Sequence, residues 1–406
     1  MVDDAQPPPE APSALWRAAS TLTVGAVGTI SRAFLKTFSK LEVNGLDDFT
    51  KLLEERRDVQ GRERGLITVS NHLTVIDDPF IWGALPLRFL WSPDNMRWSL
   101  GSHDIAYKDR RILPTFFMLG QTLPTHRLAF SPYYGGPFQS TMTEAIRILS
   151  RRPFASGAQP SDQPATRHGI WPFRFSSPPE YTENPSIDRS RELSDPFTSS
   201  QLTYSTNEDD SFPSPSAYLS RRHGWVHIFP EGRIHQHPQQ HMRYFKWGVA
   251  RLILEAEPCP DLVPIWIEGF DAIMHEERTF PRPLPRPGKS VSVTFGGRID
   301  MVAAGFVEMR ARWREMVRRE KERDADARAC GLGECPVSLE EREDAVRLRE
   351  EVTMRVRDEV LKLRVQRGWP EEDPKARLVD TWREEGRTSK REGRMKDGSI
   401  VKEAGL

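Results

Sequence analysis

Nowhere in these 406 residues does an apolar run reach the roughly 18–20 residues that a helix needs to cross a membrane. Net charge is lacking too, since 58 basic residues balance 58 acidic ones. That balance excludes a global attraction to nucleic acid, so any phosphate site must be local. Cysteine is scarce: Cys259, Cys330 and Cys335 cannot build a disulfide framework. Cys330-x4-Cys335 has no nearby histidines and no second pair, so free thiols are expected and a zinc site is not. The opening MVDDAQPPPEAP is acidic and rich in proline, unlike a secretory signal or an Arg-rich transit peptide. Any route into an organelle uses another signal.

What the chain does contain is organised around Gly65 to Pro79, GLITVSNHLTVIDDP. Leu66, Ile67 and Val69 read as a buried strand, and Asp78-Pro79 as a helix start. His72 and Asp77 then share one strand–loop–helix connection. A carboxylate held against an imidazole fixes its tautomer, so the other nitrogen can take a proton from a hydroxyl. Alone the pair is weak, because either Asp could equally cap the helix.

The rest of the chain supplies company for that pair. Before it, Leu15, Ala19, Leu22, Ala26, Ile30, Phe34, Phe38 and Leu41 make one helical stripe. Arg32, Lys36 and Lys40 form another face, as in a helix lying in a membrane interface. Packing of the same helix on the domain is the competing reading. Further on, Gly120, Pro124 and Arg127 lie in a turn-rich stretch, where an Arg can grip a phosphate. Ten of the 33 prolines fall between 151 and 222, a composition that cannot bury enough apolar surface to form core. A strand, Trp225 to Phe229, then runs into PEGR. Glu231, Gly232 and Arg233 are thereby presented at a strand's carboxyl end, where open α/β sheets bind ligands. DLVPIWIEG contains a buried strand whose Pro264 marks a bulge or edge.

In order, Asn71-His72-x4-Asp77, Gly120-x3-Pro124-x2-Arg127, Phe229 to Arg233 and Val263 to Ile265 resemble the four blocks of the glycerolipid acyltransferase superfamily. The doubled Asp, MRW at 96–98 and FPEGR followed by RYFKWG narrow the resemblance to its branch of cardiolipin-remodelling transacylases. The resemblance covers roughly 14–150 and 223–366. It implies an α/β domain, a mixed β-sheet flanked by helices, on one leaflet of mitochondrial membranes facing the intermembrane space. It implies acyl transfer from a phospholipid such as phosphatidylcholine to monolysocardiolipin, giving cardiolipin, with no metal, CoA or nucleic acid. His72 is then the base and Asp77 its orienter. Glu231, Gly232 and Arg233, with Arg127, Gly120 and Pro264, belong to the substrate site. Thr125-His126 departs from the usual apolar or small spot before the Arg. An acyl-CoA-dependent enzyme would carry the same dyad, and a non-catalytic membrane-binding protein could keep the fold.

The expected division is a disordered 1–12, a membrane-associating helix at 13–41 and an acyltransferase domain at 42–150 plus 223–305. A disordered insertion at 151–222 interrupts that domain. A helical region at 306–366 and a flexible tail at 367–406 follow.

Overall fold

Short apolar segments pair into one seven-stranded sheet, beside a two-stranded one, and the residues between them decide which edge stays open. The computed structural model describes residues 11–107, 112–128, 130–150, 203–276, 278, 280–281 and 283–382. Its strands are β1 (Ser39–Asn44), β2 (Leu66–Ser70), β3 (Trp98–Ser102), β4 (Thr122–Thr125), β5 (Thr203–Tyr204), β6 (Phe212–Pro213), β7 (Trp225–Ile228), β8 (Asp261–Glu268) and β9 (Lys289–Phe295). Helices in the first half are α1 (Ala14–Phe38), α2 (Leu46–Glu55), α3 (Asp77–Gly83), α4 (Leu87–Leu90), α5 (His103–Ala106), α6 (Leu113–Leu119) and α7 (Ser140–Leu149). Those in the second half are α8 (Gly248–Glu255), α9 (Phe270–Ile273), α10 (Phe306–Arg323), α11 (Ala325–Ala329), α12 (Val337–Glu340) and α13 (Glu343–Gln366).

The strand order is β1-β9-β8-β2-β7-β3-β4. From β8 to β4 the strands are parallel, while β9 runs against β8 and carries β1 parallel to itself. This is the mixed sheet flanked by helices that the sequence implies. Alternation along the central strands feeds two cores. Leu66, Trp225, Val263, Ile265 and Ile267 join α2 and α3 on one face. Ile67, Val69, Val226, Ile228, Leu262 and Trp266 join α7, α8, α10 and α13 on the other. Burial on both faces explains why these strands read as continuous apolar runs. Five parallel strands thus end along one edge.

Three elements differ from expectation. The N-terminal helix stops at Phe38, and Leu41, counted in its stripe, belongs to β1, which pairs in register with β9. Otherwise that strand would expose an unpaired edge. The helix packs through Val24, Gly25, Gly28, Ser31 and Leu35, and the indole of Trp91 fills the space a Gly25 side chain would need. Its large apolar residues face outward: Leu15, Leu22, Ile30 and Phe38 are 63%, 64%, 69% and 54% exposed. Lys36 and Lys40 are exposed as expected, but Arg32 turns inward and donates to the carbonyls of Ala84 (3.1 Å) and Leu85 (2.6 Å).

Of the expected insertion, 151–202 lies outside the described residues, but 203–222 is packed, a correction to that part of the reading. Strands β5 and β6 pair antiparallel, with Tyr204 and Phe212 buried. Ser214 and the Ser216 amide both donate to the buried Glu144 carboxylate on α7 (2.9 and 2.7 Å). Two aromatics and one buried acceptor anchor a stretch whose average composition is that of a loop. Likewise 367–382 is not a flexible tail. Glu372 pairs with Arg357 of α13 at 2.5 Å, and Trp382 is buried against Arg243. Residues 1–10 and 383–406 lie outside the described residues.

Candidate active site

The loop after β2 is held by the side chains it carries. Asn71 exchanges two hydrogen bonds with the backbone of Ile267 in β8, each 2.9 Å, fixing the strand's end. Asp77, fully buried at the start of α3, gathers the loop around its carboxylate. Oδ2 accepts from the Thr74 amide (2.9 Å) and the Leu73 amide, and Oδ1 accepts from the Thr74 hydroxyl (2.7 Å). His72 Nδ1 lies 2.9 Å from the same Oδ2, with the imidazole 20% exposed and Asp77 at 0%. An ionised carboxylate only accepts, so the proton sits on Nδ1 and Nε2 carries the lone pair. Phe229, at the end of β7, stacks on the imidazole with centroids 4.4 Å apart.

The backbone of His72 is fixed as firmly as its ring. Its amide donates to Glu231 Oε1 (2.8 Å), and its carbonyl accepts from the His235 amide (2.8 Å). Glu231 Oε2 accepts from the Arg243 amide (2.9 Å), so this buried carboxylate bridges two loops through backbone alone. Burial pushes its pKa up to about 7, against the opposing pull of the Arg243 and His72 amides. Gly232 has φ +60°, and a side chain there would meet the Lys246 ammonium at 2.7 Å. The half-buried Arg233 follows, in the loop next to β2's own.

The other expected residues lie apart from this group. Arg127 follows β4, three strands from β2, about 14 Å at about 4.8 Å per strand. Its guanidinium is engaged with Asp104 after β3, with Nε at 3.0 Å from Oδ1, and lies over the Phe130 ring at 4.3 Å. Gly120 caps α6, and its carbonyl accepts from Arg97 (3.2 Å). Pro264 is internal to β8, opposite Val69, and its carbonyl accepts from Gly296 (2.8 Å). His72, Asp77, Glu231, Gly232 and Arg233 are thus brought together, Arg127 stands along the same edge, Gly120 lies at the opposite, amino end of β4, and Pro264 is within the sheet.

Two partners escape a reading of the sequence alone. Asp78 does not cap its helix, which begins at Asp77; it pairs with Arg97 and accepts from Trp82 Nε1 (2.9 Å). Burial favours its protonated form, but the Arg97 guanidinium outweighs it and holds the carboxyl below the usual range. The doubled Asp and the MRW stretch are therefore two halves of one partly buried ion pair. His227 of β7 is fully buried and within 2.9 Å of the Thr68 hydroxyl, its pKa lowered to about 3 by burial. The signal available for it was an inward-facing His in an apolar strand.

No family model matches the chain. A yeast (Saccharomyces cerevisiae) protein named Tafazzin is 32% identical over 380 residues, covering 91% of this chain and 84% of its own length. The chain belongs to the tafazzin family. The Drosophila melanogaster Tafazzin is 24% identical over 71% of this chain and 54% of its own length. Among solved structures, the 1-acyl-sn-glycerophosphate (LPA) acyltransferase of Thermotoga maritima shows 14% identity and a TM-score of 0.35 over 76% of this chain and 80% of that one. As a tafazzin-family protein the chain is a phospholipid acyltransferase of the transacylase kind. Among its described residues no helix is long and apolar enough to cross a membrane.

Proposed function

We propose that the protein moves a fatty acyl chain from a phospholipid such as phosphatidylcholine to the free hydroxyl of monolysocardiolipin, without CoA. The observation that carries the acyl-transfer step is the 2.9 Å contact between a partly exposed His72 and a buried Asp77 at the open edge of a parallel sheet, and kinship to tafazzins supports a phospholipid as the donor. His72 Nε2 takes the proton from the lysolipid hydroxyl as its oxygen attacks the donor's ester carbonyl. Asp77 stabilises the imidazolium until the proton passes to the departing lysolipid oxygen. Glu231 holds the His72 backbone in place, and Gly232 lets the turn bring Arg233 to a phosphate of the substrate. Arg127, clamped by Asp104, offers a second cation on the same edge for a two-phosphate lipid. Gly120 and Pro264 act by shaping the elements beside the substrate. The chemistry uses no metal.

Approach is from one leaflet, with the outward face of α1 in the interface, in mitochondrial membranes facing the intermembrane space. The exposed Leu15, Leu22, Ile30 and Phe38 support that placement. The test is acyl exchange between labelled phosphatidylcholine and monolysocardiolipin by the purified protein, with and without CoA. Transfer in its absence, lost in His72→Ala, is the expected result. Acylation from acyl-CoA alone would overturn the donor assignment, and undiminished transfer by His72→Ala would overturn the base.

A further inference from the structure

At the far end of the same edge, two imidazoles and a carboxylate converge from segments distant in sequence. His103 opens α5 just after β3, His126 follows β4, and Asp210 lies between β5 and β6. One ring nitrogen of each histidine and one oxygen of Asp210 lie within 4.8 Å of one another. The two rings stack face to face with centroids 4.2 Å apart. His103 Nε2 stands 3.5 Å from Asp210 Oδ2, long for a hydrogen bond between these groups.

The geometry points to a binding site for a zinc-like divalent transition-metal ion, ligated by His103, His126 and Asp210. With bonds of about 2.0–2.2 Å, a tetrahedral ion sets its donor atoms roughly 3.3–3.6 Å apart. From a widest separation of at most 4.8 Å, reaching that spacing takes a closure of about 1.2 Å, with the two stacked rings turning their nitrogens toward a common point. Two nitrogen donors and a single carboxylate disfavour calcium and magnesium, which take oxygen shells. The supporting shell is already built. Asp210 Oδ1 accepts from the Thr206 amide (2.6 Å) and the Ser205 hydroxyl (3.2 Å). The Thr206 hydroxyl touches both Asp210 and His126 Nε2, the latter at 2.8 Å, and can yield that nitrogen to an ion or take the fourth position itself. Gln139 fixes the backbone of His126 in both directions, accepting from its amide (2.8 Å) and donating to its carbonyl (3.2 Å). Such outer contacts orient metal ligands and tune their affinity.

The ion's work would be structural. Strands β5 and β6 are two residues each, too short to hold a hairpin by pairing alone. An ion shared with the ends of β3 and β4 pins this hairpin over the turn that carries Arg127. Neither the dyad nor its chemistry is involved, so the proposal stands apart from the acyl-transfer reading.

The test uses the full chain, stripped with dipicolinate and dialysed into metal-free buffer. Titration with Co²⁺, followed by its visible absorption, should saturate at one equivalent. Zn²⁺ should displace the Co²⁺, raise the melting temperature and slow proteolysis between 203 and 222. Asp210→Asn and His126→Gln should each weaken Co²⁺ binding at least about tenfold. His237→Gln, at a histidine outside this site whose ring stacks on His241 with centroids 4.3 Å apart, should leave it unchanged. Asp210→Asn keeps the carboxylate's shape, and a native-like circular dichroism spectrum secures the comparison. Absence of saturable binding, or binding that survives the double variant His103→Gln/Asp210→Asn, would overturn the site.

Discussion

The two ends of the open edge are built on different principles. Around β2 and β7 the chain holds the proposed base, His72, mostly through backbone. The His72 amide, the His72 carbonyl and the Leu73 and Thr74 amides are all engaged, and the one imidazole–carboxylate contact sits inside that frame. Around β3 and β4 the work falls to side chains from three segments: Asp104 on Arg127, Gln139 on His126, and Thr206 with Asp210 from the inserted hairpin. A general base must be placed to within a fraction of an ångström and must not drift, which backbone bonds on rigid strands secure. A cation that meets a phosphate tolerates more play and can be reset by its neighbours. The first end should therefore fail by losing chemistry, and the second by losing order.

The sharpest way to break this contrast is at the base. His72→Ala or Asp77→Asn should lower acyl transfer by about 10²–10⁴-fold while far-UV circular dichroism and membrane binding persist. Near-native rates in either would remove the premise. At the other end, Phe212→Ala should cost about 3–5 kcal/mol of local stability, read as rapid proteolysis between 203 and 222. Deletion of 155–200 should change the melting temperature little, because the composition of that stretch cannot form core. Collapse of the fold on that deletion would mean the insertion does more than its described part reveals.

Glu231 tests the backbone frame itself. Glu231→Gln turns an NH₂ toward an amide that needs an acceptor, at a cost of about 1–3 kcal/mol. Because burial raises its folded pKa to about 7, above the ordinary 4.5, the folded state holds the proton more tightly than the unfolded chain. Its contribution is therefore full below about pH 4.5 and is lost as pH rises through about 7. The gap in melting temperature between wild type and Glu231→Gln should narrow from about pH 5 to about pH 8. A gap that does not change would show the group ionised throughout. The smallest effect belongs to the exposed face of α1. Leu22→Gln and Ile30→Gln should each weaken binding to anionic liposomes by about 1 kcal/mol and leave thermal stability alone. Arg32→Gln should do the reverse, since its guanidinium serves the protein interior.

What could be read in advance follows the same division. The sheet, the His72–Asp77 pair and the strand-to-turn at FPEGR were legible because each is written in consecutive residues. The bond from Glu231 to the His72 amide joins positions 159 apart, and nothing in PEGR distinguishes a carboxylate aimed at lipid from one aimed at backbone. Ion pairing of Asp78 with Arg97 had the same obstacle. The order of 203–222 was hidden by averaging, since Tyr204 and Phe212 are two anchors in a stretch of mostly polar residues. The outward turn of α1's apolar stripe was legible as a stripe. Its glycine face, which does the packing, carries no such signal in sequence, where Gly25 and Gly28 only weaken the case for a helix.

That glycine face leaves α1 no slack. Gly25 and Gly28 let it lie close against Trp91 and Leu90, and Arg32 closes over the carbonyls at the end of α3, whose first residue is Asp77. The proposed anchor and the proposed base thereby share one strut, about 10 Å from clasp to carboxylate at about 1.5 Å per residue over seven residues. Lying on a bilayer by its outer stripe, such a strut would set the imidazole at a fixed height above the acyl chains. The enzyme could not lower its base to meet a deeply seated hydroxyl. Selection among acceptors would then fall to the membrane: lipids whose packing lets the glycerol rise would react, and tightly packed ones would not, however well their headgroups fit.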